Sequence, residues 1–251
     1  MDEQTTTPTG VHDVFGSPAD ARPEAADSQA GEGRSRLPAA VLWDMDGTLI
    51  DTEPYWAEFE TALVESFGGI WTEENALACV GNPLDVSARY IRENSPVDLP
   101  EREITEHMQA GVMGRMRERM PWRPGAQELL AALRSRGVPC ALVTMSWRPM
   151  VDVLLEALPE GTFDAVVTGD VVAEGKPHPE AYLTAMDVLG VEAAECVALE
   201  DSRAGVGAAL ASGARTIAIP YLVEIPEAAG LARVPTLEGV RPEDLWRLSR
   251  T

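Results

Sequence analysis

The chain has 251 residues, 41 of them Asp or Glu against 20 Lys or Arg, for a formal net charge of −21. That balance argues against nucleic acid or an anionic membrane surface as the main partner, and it obliges any phosphate site to make its own local positive field. With 45% hydrophobic residues the length suits one large domain or a domain with an insert, and no apolar run approaches the roughly 18 residues of a membrane span.

Residues 1–36 are rich in Thr, Pro, Ala, Gly and acidic side chains, with almost no large apolar residues. Such a stretch cannot bury enough surface to offset ordering entropy, so it is expected to be a disordered tail. It also lacks the basic-then-apolar order of a signal peptide. From Leu37 to Trp43 the chain turns apolar without alternation, which predicts a parallel strand buried on both faces. Asp44 and Asp46 follow where that strand runs out, and ligands bind at the carboxyl ends of strands in open α/β sheets. Two carboxylates crowded there repel each other, so a cation or a shared proton is needed to hold them. Gly47 lets the backbone turn sharply and approach a ligand closely. Read alone, the stretch is equally a strand capped by a solvated acidic turn.

After Asp51 the pattern becomes helical. Thr52 is read as an N-cap with Pro54 in the first turn, and Tyr55, Phe59, Leu63 and Phe67 form an apolar stripe at i+4 spacing. Further helical segments are predicted near 72–79, 83–94 and 100–119. A strand-free block over 54–119 is too long for an ordinary crossover and predicts an inserted all-helical cap.

From Pro121 onwards strands and helices alternate. A helix with Leu129, Leu130 and Leu133 closes at Gly137, and a strand from Val138 to Val143 ends in Thr144. After a helix from Pro149, a strand from Phe163 to Val167 precedes the loop holding Lys176. A helix with Tyr182 follows, then a strand from Cys196 ending in Glu200 and Asp201. A small-residue helix over about 203–212 leads to a strand from Thr216 to Ile219, and a last short strand is expected at Pro235 to Leu237 before a helix at Pro242 to Leu248. This alternation predicts a Rossmann-like α/β core, 37–53 and 120–251, whose parallel sheet has helices on both faces. Cys79, Cys140 and Cys196 read as reduced core thiols of a cytoplasmic protein.

In such a sheet the polar strand ends face one edge. Asp44, Asp46, Thr144, Lys176, Glu200 and Asp201 therefore meet in one crevice. Magnesium takes carboxylate, phosphate and water oxygens, lysine supplies a point charge for a phosphate oxygen, and a carboxylate can act as a covalent nucleophile. That inventory points to metal-assisted phosphoryl transfer.

These motifs resemble those of the haloacid dehalogenase superfamily. Its DxDGTxxD motif stands as Asp44-Met45-Asp46-Gly47-Thr48-Leu49-Ile50-Asp51, its strand ending in Ser or Thr as Ala141 to Thr144, its GKPxPE lysine as Lys176, and its acidic pair as Glu200-Asp201. The cap position resembles the branch with sugar phosphatases, phosphoglycolate phosphatase and β-phosphoglucomutase. The resemblance implies that Asp44 attacks phosphorus and that Asp46 protonates the leaving alkoxide and later takes a proton from water. It implies a Mg2+ held by Asp44, the Asp46 backbone carbonyl and Asp201, with Glu200 as a direct or indirect ligand. It further implies that Thr144, the Met145 amide and Lys176 bind the phosphoryl oxygens.

Within that superfamily, Asp46 argues against dehalogenation. The mutases resembled here carry a histidine twelve positions past the nucleophile, where this chain has Trp56, and phosphonatases use a cap lysine, absent between Asp51 and Arg119. The reading is a Mg2+-dependent phosphatase acting on a small, sugar-phosphate-like monoester, with Asn82 on the cap contacting substrate. The alternatives are a phosphohexomutase and a non-catalytic binding protein on the same scaffold. A monomer or weak homodimer is expected.

Overall fold

The computed structural model describes residues 36–250; apart from Arg36, the expected disordered tail lies outside the described residues. Strands β1 (Ala40–Trp43), β2 (Cys140–Val143), β3 (Ala165–Val167), β4 (Cys196–Glu200), β5 (Arg215–Ala218) and β6 (Leu231–Arg233) form one sheet in the order β3-β2-β1-β4-β5-β6. Every pairing is parallel, with Val41 opposite Cys140 on one side and Val197 on the other. Parallel strands need crossovers, and the crossing helices cover both faces. The runs are unalternated because both sides of each inner strand are buried: all of Ala40–Trp43 and Cys140–Val143 lie inside.

One face packs Val41, Trp43, Leu142 and Leu199 against α5 (Ala126–Ser135), α6 (Arg148–Glu156) and α9 (Pro242–Leu248). The other packs Ala40, Leu42, Ala141 and Ala198 against α7 (Glu180–Leu189) and α8 (Arg203–Ala211). Small side chains on this second face let its helices approach closely. Between β1 and α5 run α1 (Glu53–Ser66), α2 (Glu73–Cys79), α3 (Leu84–Asn94) and α4 (Glu101–Glu118). They enclose a separate apolar cluster of Leu63, Val64, Trp71, Ile91, Ile104 and Met108, so the insert is a helical cap with its own core.

Three local expectations are corrected. The last strand lies at Leu231–Arg233, not at Pro235 to Leu237. Pro235 has no N–H for a sheet ladder, and Leu237 instead joins the core beside α5 and α9. Thr52 precedes α1 but makes no capping hydrogen bond; its hydroxyl donates to the Asp46 carboxylate, a charged and stronger acceptor. In α1, Phe67 falls just past the helix and is exposed, whereas Glu53 and Glu60 are buried. Cys79, Cys140 and Cys196 are free and buried, as expected.

Candidate active site

Asp44 stands one residue beyond β1, held by its N–H to Leu199 O at 3.1 Å. The following turn closes through Gly47 N–H to Ile50 O at 2.7 Å, with Gly47 at φ +86°, a left-handed value that favours glycine. A Cβ there would fall 1.9 Å from Asp201 Oδ2. The residue type is therefore set by close approach as well as by the turn.

Lys176 reaches into the sheet edge and is almost fully buried. Its Nζ donates to Asp44 Oδ1 at 2.7 Å, Glu200 Oε1 at 2.6 Å and Val143 O at 2.9 Å. These three acceptors match the three protons of an ammonium. Burial pulls the Lys176 pKa down, but Asp44 and Glu200 outweigh it and hold the lysine charged. Glu200 Oε1 also takes the Tyr182 hydroxyl at 2.6 Å, and Oε2 takes Asp201 N–H at 3.2 Å and Ser202 Oγ at 3.4 Å. Its oxygens are thus committed to protein donors. Gly205 makes room for this carboxylate, since a Cβ there would meet Glu200 at 2.0 Å.

Asp44, Glu200 and Asp201 offer oxygens within 4.8 Å of one another, all buried. Burial first, then Glu200, pushes Asp44 up to about 7 despite the opposing Lys176. Burial, Asp44 and Glu200 likewise raise Asp201 well above the usual carboxylate range. Three buried carboxylates thus share one ammonium, and Asp44 Oδ2 is buried with no hydrogen-bond partner. An orphaned hard oxygen in an under-neutralised carboxylate cluster fits a divalent oxophilic cation.

Asp46 accepts from Thr52 Oγ1, from Ser146 Oγ at 2.7 Å and, at the long distance of 3.5 Å, from Thr144 Oγ1. Burial raises its pKa, and hydrogen bonds from Thr52, Ser146 and Trp56 oppose that rise. Thr144 Oγ1 in turn accepts Ser146 N–H at 3.0 Å. Met145 is nearly buried, and its sulfur accepts Lys176 N–H at 3.1 Å.

The cleft over these residues reaches from Asp44, Asp46, Lys176 and Asp201 into the cap. Asn82 lines it, with its side-chain amide donating to Ala78 O at 2.8 Å. The structure therefore brings together Asp44, Asp46, Thr144, Met145, Lys176, Glu200 and Asp201, with Asn82 on the cap side. Ser146, Tyr182, Glu53 and Glu60 were not singled out from the sequence. Ser146 follows the strand end by two residues, a spacing that was available as a signal. The other three read as ordinary helix positions.

The sequence profile of the haloacid dehalogenase-like hydrolases matches residues 41–219. Hexitol phosphatase B of Escherichia coli is 33% identical over 184 residues, covering 72% of this chain and 83% of that protein. A phosphorylated carbohydrates phosphatase of Thermotoga maritima is 31% identical over 215 residues, covering 82% of this chain and 95% of that one. The crystal structure of CbbY from Rhodobacter sphaeroides in complex with phosphate aligns with TM-score 0.72 at 30% identity, covering 81% of this chain and 96% of that chain. With the sheet order, the helical insert and the carboxylate–lysine cluster in agreement, this chain belongs to the haloacid dehalogenase-like hydrolases.

Proposed function

We propose that the chain is a Mg2+-dependent phosphatase that hydrolyses a small, sugar-phosphate-like monoester through an aspartyl phosphate on Asp44. The observation that carries this reading is the division of labour within the Asp44 carboxylate. Oδ1 is fixed by Lys176, while Oδ2 is buried and unpartnered. In the first step an Asp44 oxygen forms a bond to phosphorus, the bond to the leaving oxygen breaks, and Asp46 gives that oxygen a proton. In the second, water attacks the phosphoryl group, Asp46 takes the water's proton, and inorganic phosphate leaves with Asp44 restored. Thr144, the Met145 amide and Lys176 are assigned to the phosphoryl oxygens.

The carboxylates fit Mg2+, which Asp44, Asp201 and the Asp46 backbone carbonyl would hold. Glu200 acts from behind, because its oxygens are occupied by Lys176, Tyr182, Asp201 and Ser202. When bound, the ion would neutralise charge on the phosphoryl group. The names of the two curated relatives support a carbohydrate-like leaving group. Trp56 favours hydrolysis over a mutase: it lines the cleft with Asp46, and an indole does not titrate near neutral pH and so cannot relay a proton as an imidazole can. We assign 37–53 and 120–251 to the catalytic core and 54–119 to the cap. A monomer or weak homodimer in the cytoplasm, without nucleic-acid or membrane partners, completes the reading. No helix among the described residues is long and apolar enough to cross a membrane.

The test is release of phosphate from p-nitrophenyl phosphate with Mg2+. Turnover abolished by EDTA and by Asp44→Asn is expected. Interconversion of sugar phosphates without phosphate release, primed by a bisphosphate, would replace this reading with the mutase. No turnover of either kind would leave a binding protein.

A further inference from the structure

The cap half of the cleft has an unusual charge balance. Glu53 and Glu60 lie on one face of α1 with Trp56 between them, and all three line the cleft. Seven residues of helix separate the two carboxyl groups by about 10 Å along the axis. Glu60 is partnered: it accepts Trp71 Nε1 at 2.9 Å. Glu53 differs. It is only 8% exposed, yet none of the described residues hydrogen-bonds its carboxyl group. Burial, with Asp46 and Glu60 adding to it, pushes Glu53 up to about 8.

Glu53 lines the cleft and its carboxyl oxygens are not sealed inside the protein, so this unpartnered acid faces the space beside Asp46, where the leaving group of a phosphate ester would lie. Lys176 is the sole cation among the described residues lining the cleft, and it stands at the phosphoryl end, paired with Asp44 and Glu200, away from the cap wall. The remaining cap wall is neutral, with Ser87 and Thr105 among Ile91, Ile104 and Met108. An alcohol hydroxyl can bond a carboxyl group in either protonation state. A second anionic group on the substrate would find no counter-charge.

We propose that Glu53 is a specificity-determining residue, hydrogen-bonding a hydroxyl of an uncharged, polyhydroxylated leaving group in a cleft that rejects leaving groups carrying a further negative charge. This rests on the phosphatase reading above. A site built to bond a hydroxyl discriminates strongly against the analogue lacking it, because its own polar group is then left unpaired.

The experiment measures kcat/KM for phosphate release from p-nitrophenyl phosphate, a hexitol monophosphate, n-hexyl phosphate and phosphoglycolate, each with Mg2+. The wild type is expected to prefer the hexitol ester over both n-hexyl phosphate and phosphoglycolate by at least ~100-fold. Glu53→Leu should cut the hexitol-to-hexyl ratio at least ~10-fold, whereas Glu53→Gln, which keeps a hydrogen-bonding head, should hold it within about threefold. Similar wild-type rates on the hexitol ester and either comparison substrate would overturn the proposal. So would a ratio that survives Glu53→Leu, or a loss shared equally by the hexitol and hexyl esters. If Glu53→Leu does not fold, Glu53→Ala takes its place and the same ratios decide. Failure of the wild type to release phosphate even from p-nitrophenyl phosphate would instead remove the phosphatase reading, and this proposal with it.

Discussion

Tyr182 Oη and Lys176 Nζ donate to the same oxygen, Glu200 Oε1, each at 2.6 Å. The lysine is thus a structural counter-ion as well as a candidate phosphate ligand. Removing one partner of a buried ion pair leaves the other uncompensated, at a cost of about 3–5 kcal/mol. Lys176→Met is expected to lower stability by that order and to cut phosphatase activity at least ~100-fold. Tyr182→Phe removes a neutral donor and is expected to cost about 1–2 kcal/mol, with a much smaller loss of turnover. Urea unfolding and steady-state kinetics on both variants make the comparison. Equal losses would contradict the distinction.

Gly47 touches the candidate metal cluster without contributing a ligand. Its missing Cβ would lie 1.9 Å from Asp201 Oδ2, and its φ is +86°. Gly47→Ala is expected to displace Asp201 and to raise the Mg2+ concentration for half-maximal activity at least ~10-fold, the order seen when groups supporting a metal site are lost. A Mg2+ titration of activity reads this directly. An unchanged midpoint would separate Asp201 from the metal.

Ser146 donates to Asp46 at 2.7 Å, and that bond favours the ionised carboxylate. Its loss in Ser146→Ala should therefore raise the Asp46 pKa further. In the proposed mechanism Asp46 acts first as an acid, so the basic limb of kcat/KM against pH is expected to move to higher pH. An alkyl phosphate is the right substrate, since its leaving group needs the proton. A limb that stays in place, or moves down, would detach Asp46 from it.

Glu60 gives a pH dependence of stability. Burial raises it from 4.5 to about 7. The folded carboxyl binds its proton more tightly than the unfolded one, so this contribution is fully present below pH 4.5 and is lost as pH rises to about 7. Glu60→Gln keeps an acceptor for Trp71 and removes the charge. It is expected to raise the melting temperature relative to wild type at pH 8, by up to about 3 kcal/mol of stability, with little difference near pH 4. Parallel melting curves at the two pH values test this.

The core was legible because its strands are short apolar runs that end in polar residues. Asp44, Thr144 and Glu200 could be placed on one edge from that pattern alone, and the structure puts them there. What escaped notice had local signals pointing the other way. Glu53 and Glu60 read as the wet face of an amphipathic helix, because nothing in a helical period distinguishes solvent from a polar cleft. Tyr182 reads as core, which it is, and only its hydroxyl reaches Glu200. Thr52 has the right residue type and position for a cap, yet a carboxylate six residues away competes for its proton. Strand β6 is short and at the sheet edge, where pairing rests on one neighbour and the pattern is weakest.

The central place of β1 in the sheet also bears on how the protein comes to be active. Val41 must wait for both Cys140 and Val197 before its two ladders close, whereas the cap helices find most of their contacts within one stretch of chain. Long-range pairing of this kind is slow and late compared with local contacts. Asp44, the proposed nucleophile, is thus among the first site residues to leave the ribosome and among the last to gain its neighbours. Nascent chains that stop short of β4 carry Asp44 and Lys176 but not Glu200 or Asp201, so the catalytic centre is complete only after most of the chain has been made.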